Sequence, residues 1–256
     1  MSEGPQVKLR AEWLDRYLTG RAVINCTTSR PALEESTEET IGRTIKDVFC
    51  KGKHIFLSFG EDLFLHNHLL MRGKWKRVTG QLLFLPPGAW LSLYVGPYTI
   101  LNINGQVLAT LTGEEVREKM DSLGPDVLAD PFPAREIDAA LHFANAPIGD
   151  VLLDQSILCG VGNVAKSEAL FLAGIGPWRR SDTLSNEERT ALMQKLRDVM
   201  WGSYRSGGRW VHRVYRRAGG RCPVCHTPIR MMRQGKAKRI TFFCPSCQKG
   251  PAGFEG

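Results

Sequence analysis

Four cysteines near the end of the chain have the residue type and spacing that most directly predict chemistry. Cys222 and Cys225 form one pair, Cys244 and Cys247 form another, and eighteen residues separate the two pairs. Four thiolates in this pattern are typical of one tetrahedral zinc site. The alternative is four free or disulfide-bonded cysteines. We predict that these four side chains bind one structural zinc ion.

The segment between the cysteine pairs predicts the element that positions them. Residues 227–229 and 240–243 read as two short strands, and the basic segment 230–239 joins them. An isolated hairpin of this length buries too little surface to be stable, so the metal would supply most of its folding free energy. The sequence therefore predicts a zinc ribbon.

Positive charge is concentrated around this ribbon. Residues 199–254 contain twelve Lys and Arg residues and no Asp or Glu, whereas the rest of the chain contains 22 basic and 26 acidic residues. A solvated basic face is the simpler explanation. A one-sided charge on a rigid hairpin is, however, typical of a protein that binds a phosphate backbone. We therefore expect nucleic acid as the partner.

Length and composition limit the remaining classes of protein. A chain of 256 residues can form one large or two modest domains besides the ribbon. Cys26, Cys50 and Cys159 lie among apolar neighbours, as buried thiols of a reducing compartment do. Residues 78–113 carry no charge, but Pro and Gly divide them into segments far shorter than the ~20 residues of a membrane span. With a charged amino terminus that lacks a secretory signal, we expect a cytoplasmic, nucleoid-associated protein without a membrane span.

Hydrophobic periodicity predicts strands first and helices later. After an extended start and a helix with apolar residues at positions 7 to 18, short strands follow without intervening helices, which predicts an antiparallel sandwich or barrel. Residues 34–39 read as an acidic loop. The predicted strands are 22–26, 44–49, 54–59, 63–69, 74–78, 82–85, 90–95, 99–103 and 107–111. The predicted helices are 114–120, 134–143, 148–153, 164–173 and 186–203.

One turn in the helical part has the composition of a phosphate site. A helix is expected to end at Cys159, Gly160 and Gly162 allow a tight turn, and Asn163 is placed at the N-cap of the next helix. Small residues here would let a phosphate approach backbone N–H groups at the helix amino end. An ordinary pair of helices, with glycines that only turn the chain, is the alternative.

Taken together, these features resemble the formamidopyrimidine-DNA glycosylase and endonuclease VIII family over nearly the whole chain. Residues 2–5, Ser-Glu-Gly-Pro, are similar to the family's Pro-Glu-Gly-Pro start, and residues 160–163 resemble its helix-two-turns-helix motif. Gly52-Lys53 lies where its strand lysine does, and the ribbon resembles its zinc finger. The resemblance implies an α+β fold. Its parts would be an N-terminal antiparallel β-sandwich (1–125), a helix-two-turns-helix domain (126–215) and the zinc ribbon (216–250).

The resemblance also implies an enzyme and its site residues. The family comprises base-excision-repair DNA glycosylases with AP lyase activity, in which an amino-terminal amine attacks C1′ of a flipped nucleotide and β- or β,δ-elimination follows. An α-amino group has a pKa near ~8 and is partly a neutral nucleophile at cellular pH. By position, Ser2 would be the nucleophile, Glu3 the acid/base and Lys53 a catalytic residue at the phosphate beside the lesion. The DNA-binding positions would be Asn163 and Arg239, which clamp the backbone, and Met71, which fills the gap left by the flipped base, with Leu70 and Arg72 as possible contributors.

Departures from the family pattern leave alternatives open. Ser2 replaces the usual proline, Gln6 a glutamate, and Ala165 an aromatic residue. Gly4 favours the endonuclease VIII branch, and hence oxidised pyrimidines. We also expect damaged double-stranded DNA as the partner and a monomeric protein. The nucleophile requires removal of Met1. A binder of abasic or damaged DNA that lacks the lyase step is the alternative function, and a sequence-specific zinc-ribbon regulator is a weaker one.

Three histidines lie on the strands near the predicted lysine. The strand period places His66 and His68 on one face, with His54 on the preceding strand. No carboxylate spacing supports a metal site here. We interpret all three as hydrogen-bonded structural or DNA-facing residues.

Overall fold

A computed structural model describes residues 2–105 and 107–248 and divides the chain into two compact units. Ser2 and residues 6–122 belong to the first unit, and residues 3–5 and 123 onward belong to the second. Met1, Gln106 and residues 249–256 lie outside the described residues, and with them Lys249 of the basic segment and the last two positions of the predicted ribbon domain.

Helix α1 (Gly4–Leu18) begins earlier than the sequence suggested. Gly4 and Pro5 were expected to keep the chain extended, and this prediction is wrong. Proline is tolerated in the first helical turn, because the N–H groups there have no partner within the helix. The apolar face of the helix contributes Leu14 and Leu18, both fully buried, to the core of the first unit.

Two four-stranded antiparallel sheets form a sandwich in the first unit, which confirms the predicted fold class. One sheet has the order β1-β6-β7-β5 and the other β2-β3-β4-β8. Their inward side chains, among them Ile55, Leu65 and Ile100, form one core with Trp75, whose indole N–H donates to Asn67 Oδ1 over 2.9 Å. The strands are β1 (Asn25–Thr28), β2 (Asp47–Lys51), β3 (His54–Ser58), β4 (Phe64–His68), β5 (Lys74–Thr79), β6 (Ala89–Tyr94), β7 (Tyr98–Ile103) and β8 (Val107–Leu111).

Two segments of this unit differ from the predictions. Residues 82–85 do not form a strand: Leu83 and Phe84 are 87% and 86% exposed in the loop between β5 and β6. The apolar run here has no neighbouring strand to pair with, and two prolines without N–H groups follow it. The predicted acidic loop contains a short helix, α2 (Glu34–Glu38). Helix α3 (Gly113–Asp121) begins with a capping box and confirms the predicted helix 114–120.

The second unit begins with four helices around an apolar core. They are α4 (Ala134–Phe143), α5 (Ile148–Val151), α6 (Asn163–Leu172) and α7 (Asn186–Arg205). The expected helix end at Cys159 is wrong, because α5 ends at Val151 and turns follow. The Gln155 side chain bonds to backbone groups of Leu153, Gly160 and Val161, so the turns obtain the hydrogen bonds that a helix would have supplied.

The basic hairpin consists of β9 (Arg230–Gln234) and β10 (Arg239–Phe243), paired antiparallel. The first strand was predicted at residues 227–229 and is displaced. Those residues instead complete the turn around the first cysteine pair. In this turn the Cys222 N–H donates to the Thr227 carbonyl over 2.9 Å, and Pro228 forms an isolated antiparallel β-bridge with Arg221. The basic side chains expected at the tip therefore lie mostly along the strands. Among the helices of residues 2–105 and 107–248, none has the length and apolar content needed to cross a bilayer.

Candidate active site and metal centre

The four cysteines converge at the base of the hairpin. Their sulfur atoms all lie within 4.8 Å of one another, with Cys222 Sγ 3.8 Å from Cys247 Sγ and Cys225 Sγ 3.4 Å from Cys244 Sγ. Sulfurs at ~2.3 Å from a tetrahedral zinc ion would be roughly 3.8 Å apart. The cluster can therefore hold one metal ion with four thiolate ligands.

Glu3 is bound at the amino end of α6. Its carboxylate accepts hydrogen bonds from the backbone N–H groups of Val164 (2.8 Å) and Ala165 (3.1 Å), and only 1% of the residue is exposed. A Cβ at position 162 would lie 2.2 Å from Glu3 Cδ, so Gly162 is needed for this approach. The two N–H donors and the helix dipole stabilise negative charge on the carboxylate.

This arrangement changes the expected role of Asn163. The N-cap residue is Gly162, and Asn163 is the first residue of α6. Its Nδ2 donates to the Ile240 carbonyl over 2.7 Å, while its Oδ1 is buried without a hydrogen-bond partner in the described part of the chain. Ile240 directly follows Arg239 in β10. The structure thus places the two predicted backbone-clamp residues close together.

A buried polar network that the sequence did not predict joins α6 to the hairpin. Lys166 is fully buried, and its Nζ donates to Thr241 Oγ1 over 2.6 Å. Thr241 Oγ1 in turn donates to Gln234 Oε1 over 2.8 Å, and Gln234 Nε2 donates to the Pro177 carbonyl over 2.7 Å. Burial lowers the pKa of Lys166 to about 8, opposed by the nearby charges of Asp150 and Glu3. The network joins segments that are far apart in the sequence, so no local sequence pattern predicts it.

A second buried carboxylate fixes the segment before the hairpin. Glu168 is fully buried and accepts hydrogen bonds from the consecutive N–H groups of Arg213, Val214 and Tyr215 at 2.9, 3.0 and 2.8 Å. Hydrogen bonds of this kind compensate a buried negative charge. Sequence reasoning missed this residue as well.

In the first unit, Ser2 contacts the residue that precedes Met71. The Ser2 nitrogen donates to the Leu70 carbonyl over 3.1 Å, and the next residue, Met71, is 62% exposed. Lys53 is 8% exposed and follows Gly52, whose φ of 59° forms the turn between β2 and β3. The charge of Lys53 is near enough to lower the pKa of His68.

The three histidines beside Lys53 are held neutral. His54 Nδ1 lies 2.8 Å from His66 Nε2, and His68 Nδ1 accepts a hydrogen bond from the Leu70 N–H over 3.1 Å. Burial, with smaller contributions from neighbouring positive charges, lowers the pKa of His54 to about 3 and those of His66 and His68 to about 4. Neutral imidazoles can act as hydrogen-bond acceptors at neutral pH.

Comparisons with known proteins agree with this geometry. Residues 1–92 match the formamidopyrimidine-DNA glycosylase N-terminal domain, and residues 123–213 match the H2TH domain of the same enzymes. The chain is 32% identical over 274 residues to a probable endonuclease 8 2 of Streptomyces coelicolor, covering 98% of this chain and 95% of that protein. It is 30% identical over 261 residues to a DNA-(apurinic or apyrimidinic site) lyase of Mycolicibacterium smegmatis, covering 97% and 99%.

The fold is similar to a solved structure of Lactococcus lactis formamidopyrimidine-DNA glycosylase bound non-covalently to DNA that contains an AP site. The TM-score is 0.86 at 22% identity, and the alignment covers 97% of this chain and 100% of the other. At this identity the likeness concerns the fold. The matched domains and the full-length relatives together establish that this chain belongs to the formamidopyrimidine-DNA glycosylase and endonuclease VIII family.

Proposed function

We propose that this protein removes oxidised pyrimidines from double-stranded DNA and cleaves the resulting abasic sites through the amine of Ser2. Membership of the family makes it an enzyme of the DNA glycosylase and AP lyase class that acts on DNA in base excision repair. The observation that supports the site most strongly is the Glu3 carboxylate, buried on the first N–H groups of α6 and adjacent in sequence to Ser2.

The proposed reaction begins at the Ser2 nitrogen. Loss of Met1 would convert this atom from an amide into a primary amine, which attacks C1′ of the damaged nucleotide as the bond to the base breaks. The Glu3 carboxylate takes a proton from the Ser2 nitrogen as the bond to C1′ forms and passes it to the sugar ring oxygen, which opens the ring and gives a protonated imine, while the released base takes a proton from solvent. Glu3, again a carboxylate, then removes a proton from C2′ to form an enamine, and the return of that electron pair expels the 3′ phosphate. The two N–H donors that stabilise negative charge on Glu3 suit it to accept a proton before it donates one.

We propose that the DNA backbone is held by cations and an amide that the site supplies. Lys53 would bind the phosphate beside the lesion, and Asn163 and Arg239 would bind the DNA backbone. The side chain of Met71 would fill the space left by the flipped base, since it is unbranched, polarisable and exposed. The excess of basic residues around the hairpin supports this assignment of the DNA-binding residues.

Zinc is the metal we propose for the cysteine cluster, because four thiolates select a thiophilic ion with tetrahedral preference. The metal would be structural, since all four positions are occupied by protein ligands. We further propose that the protein acts as a monomer in the nucleoid, and that its domains are 1–125, 126–215 and 216–250. Oxidised pyrimidines are favoured by Gly4 and by the relatives named endonuclease 8.

The alternative is a protein that binds damaged DNA without a lyase step, and it rests on the replacement of proline by Ser2. The test is a panel of duplexes that carry oxidised pyrimidines, oxidised purines or an abasic site, each incubated with and without borohydride. We expect a borohydride-trapped adduct that maps to residue two, strand cleavage, and an intact mass without Met1. Glu3→Gln should bind abasic DNA yet cleave roughly 10²–10⁴-fold more slowly. A processed protein that binds abasic DNA tightly but gives neither adduct nor cleavage would favour the binder.

A further inference from the structure

The turn that carries Met71 has an unusual backbone. Leu70 has a φ of 46°, a left-handed conformation that favours glycine and disfavours a side chain. The turn is closed by the Gly73 N–H, which donates to the Leu69 carbonyl over 2.8 Å. A Cβ at Gly73 would lie 2.6 Å from that carbonyl oxygen, so this closure requires glycine at position 73. Conformations of this kind persist when the surroundings fix them.

Both backbone polar groups of Leu70 are fixed by other residues. Its N–H donates to His68 Nδ1 over 3.1 Å, and its carbonyl accepts from the Ser2 nitrogen over 3.1 Å. Because the pKa of His68 is lowered to about 4, its ring is neutral and remains an acceptor at physiological pH. The Leu70 carbonyl therefore points at the nitrogen atom that the proposed function makes the nucleophile.

The replacement of proline by serine gives this contact a chemical consequence. The amine of proline is secondary, so its imine with C1′ carries no hydrogen on nitrogen. A primary amine loses one hydrogen as the C–N double bond forms, and the protonated imine keeps the other. Only the Ser2 imine can thus continue to donate to a carbonyl after the covalent bond to DNA has formed.

We propose that Leu70 is a positioning residue whose backbone carbonyl orients the Ser2 amine and then keeps its imine with DNA protonated, which compensates for the absence of proline. This inference rests on the proposed function of Ser2. The protonated imine is the electron acceptor for the elimination step, and a primary imine would otherwise lose that proton as pH rises. A hydrogen bond from a charged donor to the carbonyl favours the protonated form.

The turn also links this contact to DNA binding. Met71 follows Leu70 directly, so a displacement of Met71 on entering the duplex acts on the peptide whose carbonyl holds Ser2. The nucleophile would consequently be aligned most accurately when the gap left by a flipped base is filled. Met71→Ala should therefore lower the rate of imine formation as well as the affinity for abasic DNA.

Two substitutions of Leu70 separate backbone conformation from side chain. Leu70→Val keeps an apolar side chain but makes the left-handed conformation much less favourable, because its side chain is β-branched. Leu70→Gly removes the side chain and retains easy access to that conformation. Each is combined with Ser2 and with Ser2→Pro, and the single-turnover rate of adduct formation and cleavage is measured on abasic duplex from pH 6 to 9.

With Ser2, we expect Leu70→Val to slow cleavage by roughly ten-fold, the effect of one hydrogen bond to a charged group, and Leu70→Gly to cost much less. Leu70→Val should also shift the loss of activity at high pH to lower pH. With Ser2→Pro, neither change should move the alkaline limb. An equal loss in both backgrounds, or an unchanged pH profile, would overturn the inference but leave the nucleophile intact. No adduct in any variant would overturn the proposed function and this inference with it.

Discussion

The buried histidines of the first unit and the buried charged groups of the second unit differ in how the cost of burial is met. In the first unit, His54, His66 and His68 have pKa values lowered to about 3 or 4, so they are neutral at physiological pH. In the second unit, the cation Lys166 and the carboxylate Glu3 lie in the same buried environment. Desolvation disfavours charge in both units. Histidine avoids this cost by releasing its proton, whereas the second unit must compensate its charges.

The compensation in the second unit comes from defined hydrogen bonds. Glu3 receives two backbone N–H groups, Glu168 receives three, and Lys166 donates to Thr241 within reach of the charges of Asp150 and Glu3. Charged groups therefore lie where phosphates and proton transfer are proposed. In the first unit, the neutral ring of His68 acts instead as an acceptor for the Leu70 N–H, next to the carbonyl that contacts Ser2.

The largest effect we expect is that loss of the metal unfolds the hairpin of the second unit and leaves the first unit folded. Cys244→Ser removes one thiolate, and structural zinc sites contribute on the order of 10 kcal/mol to the folding of such elements. Hydrogen exchange read by mass spectrometry should show rapid exchange in β9 and β10, with β3 and β4 unchanged. Cys159→Ser, a buried thiol outside the cluster, is the control. Fewer than about half a zinc ion per chain in protein purified without chelator would contradict the proposed site.

The second prediction concerns acid and the histidines. Their folded pKa values lie below the ordinary value near 6.5, so the unfolded chain binds more protons between about pH 4 and 6.5. Their stabilisation is complete above pH 6.5 and is lost as pH falls through this window. Each histidine should contribute on the order of 1 kcal/mol per pH unit, less for partly exposed rings because solvent screens them.

The measurement is the free energy of unfolding of the first unit in urea at pH 5.0, 6.0 and 7.5. His66→Gln should reduce the dependence on pH, because it removes one titrating ring from the cluster. His142→Gln, whose ring lies in the second unit, is the matched control. If the slope of unfolding free energy against pH is unchanged in the His66 variant, the His66 ring does not have the lowered pKa on which this prediction depends.

Much of this architecture was predictable, because it depends on local patterns. Alternation and turn residues predicted eight of the strands, hydrophobic period predicted the long helices, and cysteine spacing predicted the cluster. Residues 82–85 failed because an apolar run of strand length contains no information on whether a partner strand exists. Burial of Glu3 on α6 joins residues 161 and 162 positions apart, and the roles of Lys166 and Leu70 also depend on contacts between distant parts of the sequence. Such contacts have no local signature.

The third prediction tests whether Lys166, like the histidines, makes the free energy of unfolding increase as pH rises. Its folded pKa is lowered to about 8, so the unfolded chain binds more protons between about pH 8 and 10.5. Stability of the second unit should therefore rise across this window, by at most about 1.4 kcal/mol per pH unit. Lys166→Met retains most of the volume and should abolish that rise, while Lys166→Arg stays charged and should lack it as well.

A direct measurement would follow the unfolding of the second unit at pH 7.5, 8.5 and 9.5 in urea. Lys195→Met, which changes a half-buried lysine on α7, serves as the control and should leave the rise in place. If Lys166→Met keeps the alkaline rise, another group is responsible. Lys166 could then no longer serve as the example of a buried charge that hydrogen bonds compensate.

The smallest expected effect concerns Arg239, one of the proposed DNA-binding residues. If its guanidinium neutralises one phosphate, Arg239→Ala should lower the slope of log affinity against log salt by about one, which is roughly a two-fold difference between 0.1 and 0.2 M salt. Asn163→Ala should weaken binding but leave the slope unchanged, since the amide carries no charge. The positive charge of Arg239 also lowers the pKa of Lys166. Arg239→Ala should consequently move the start of the alkaline rise to higher pH. Fluorescence anisotropy with abasic duplex measures the slope, and an unchanged slope would remove Arg239 from the phosphate clamp even if the pH shift occurs.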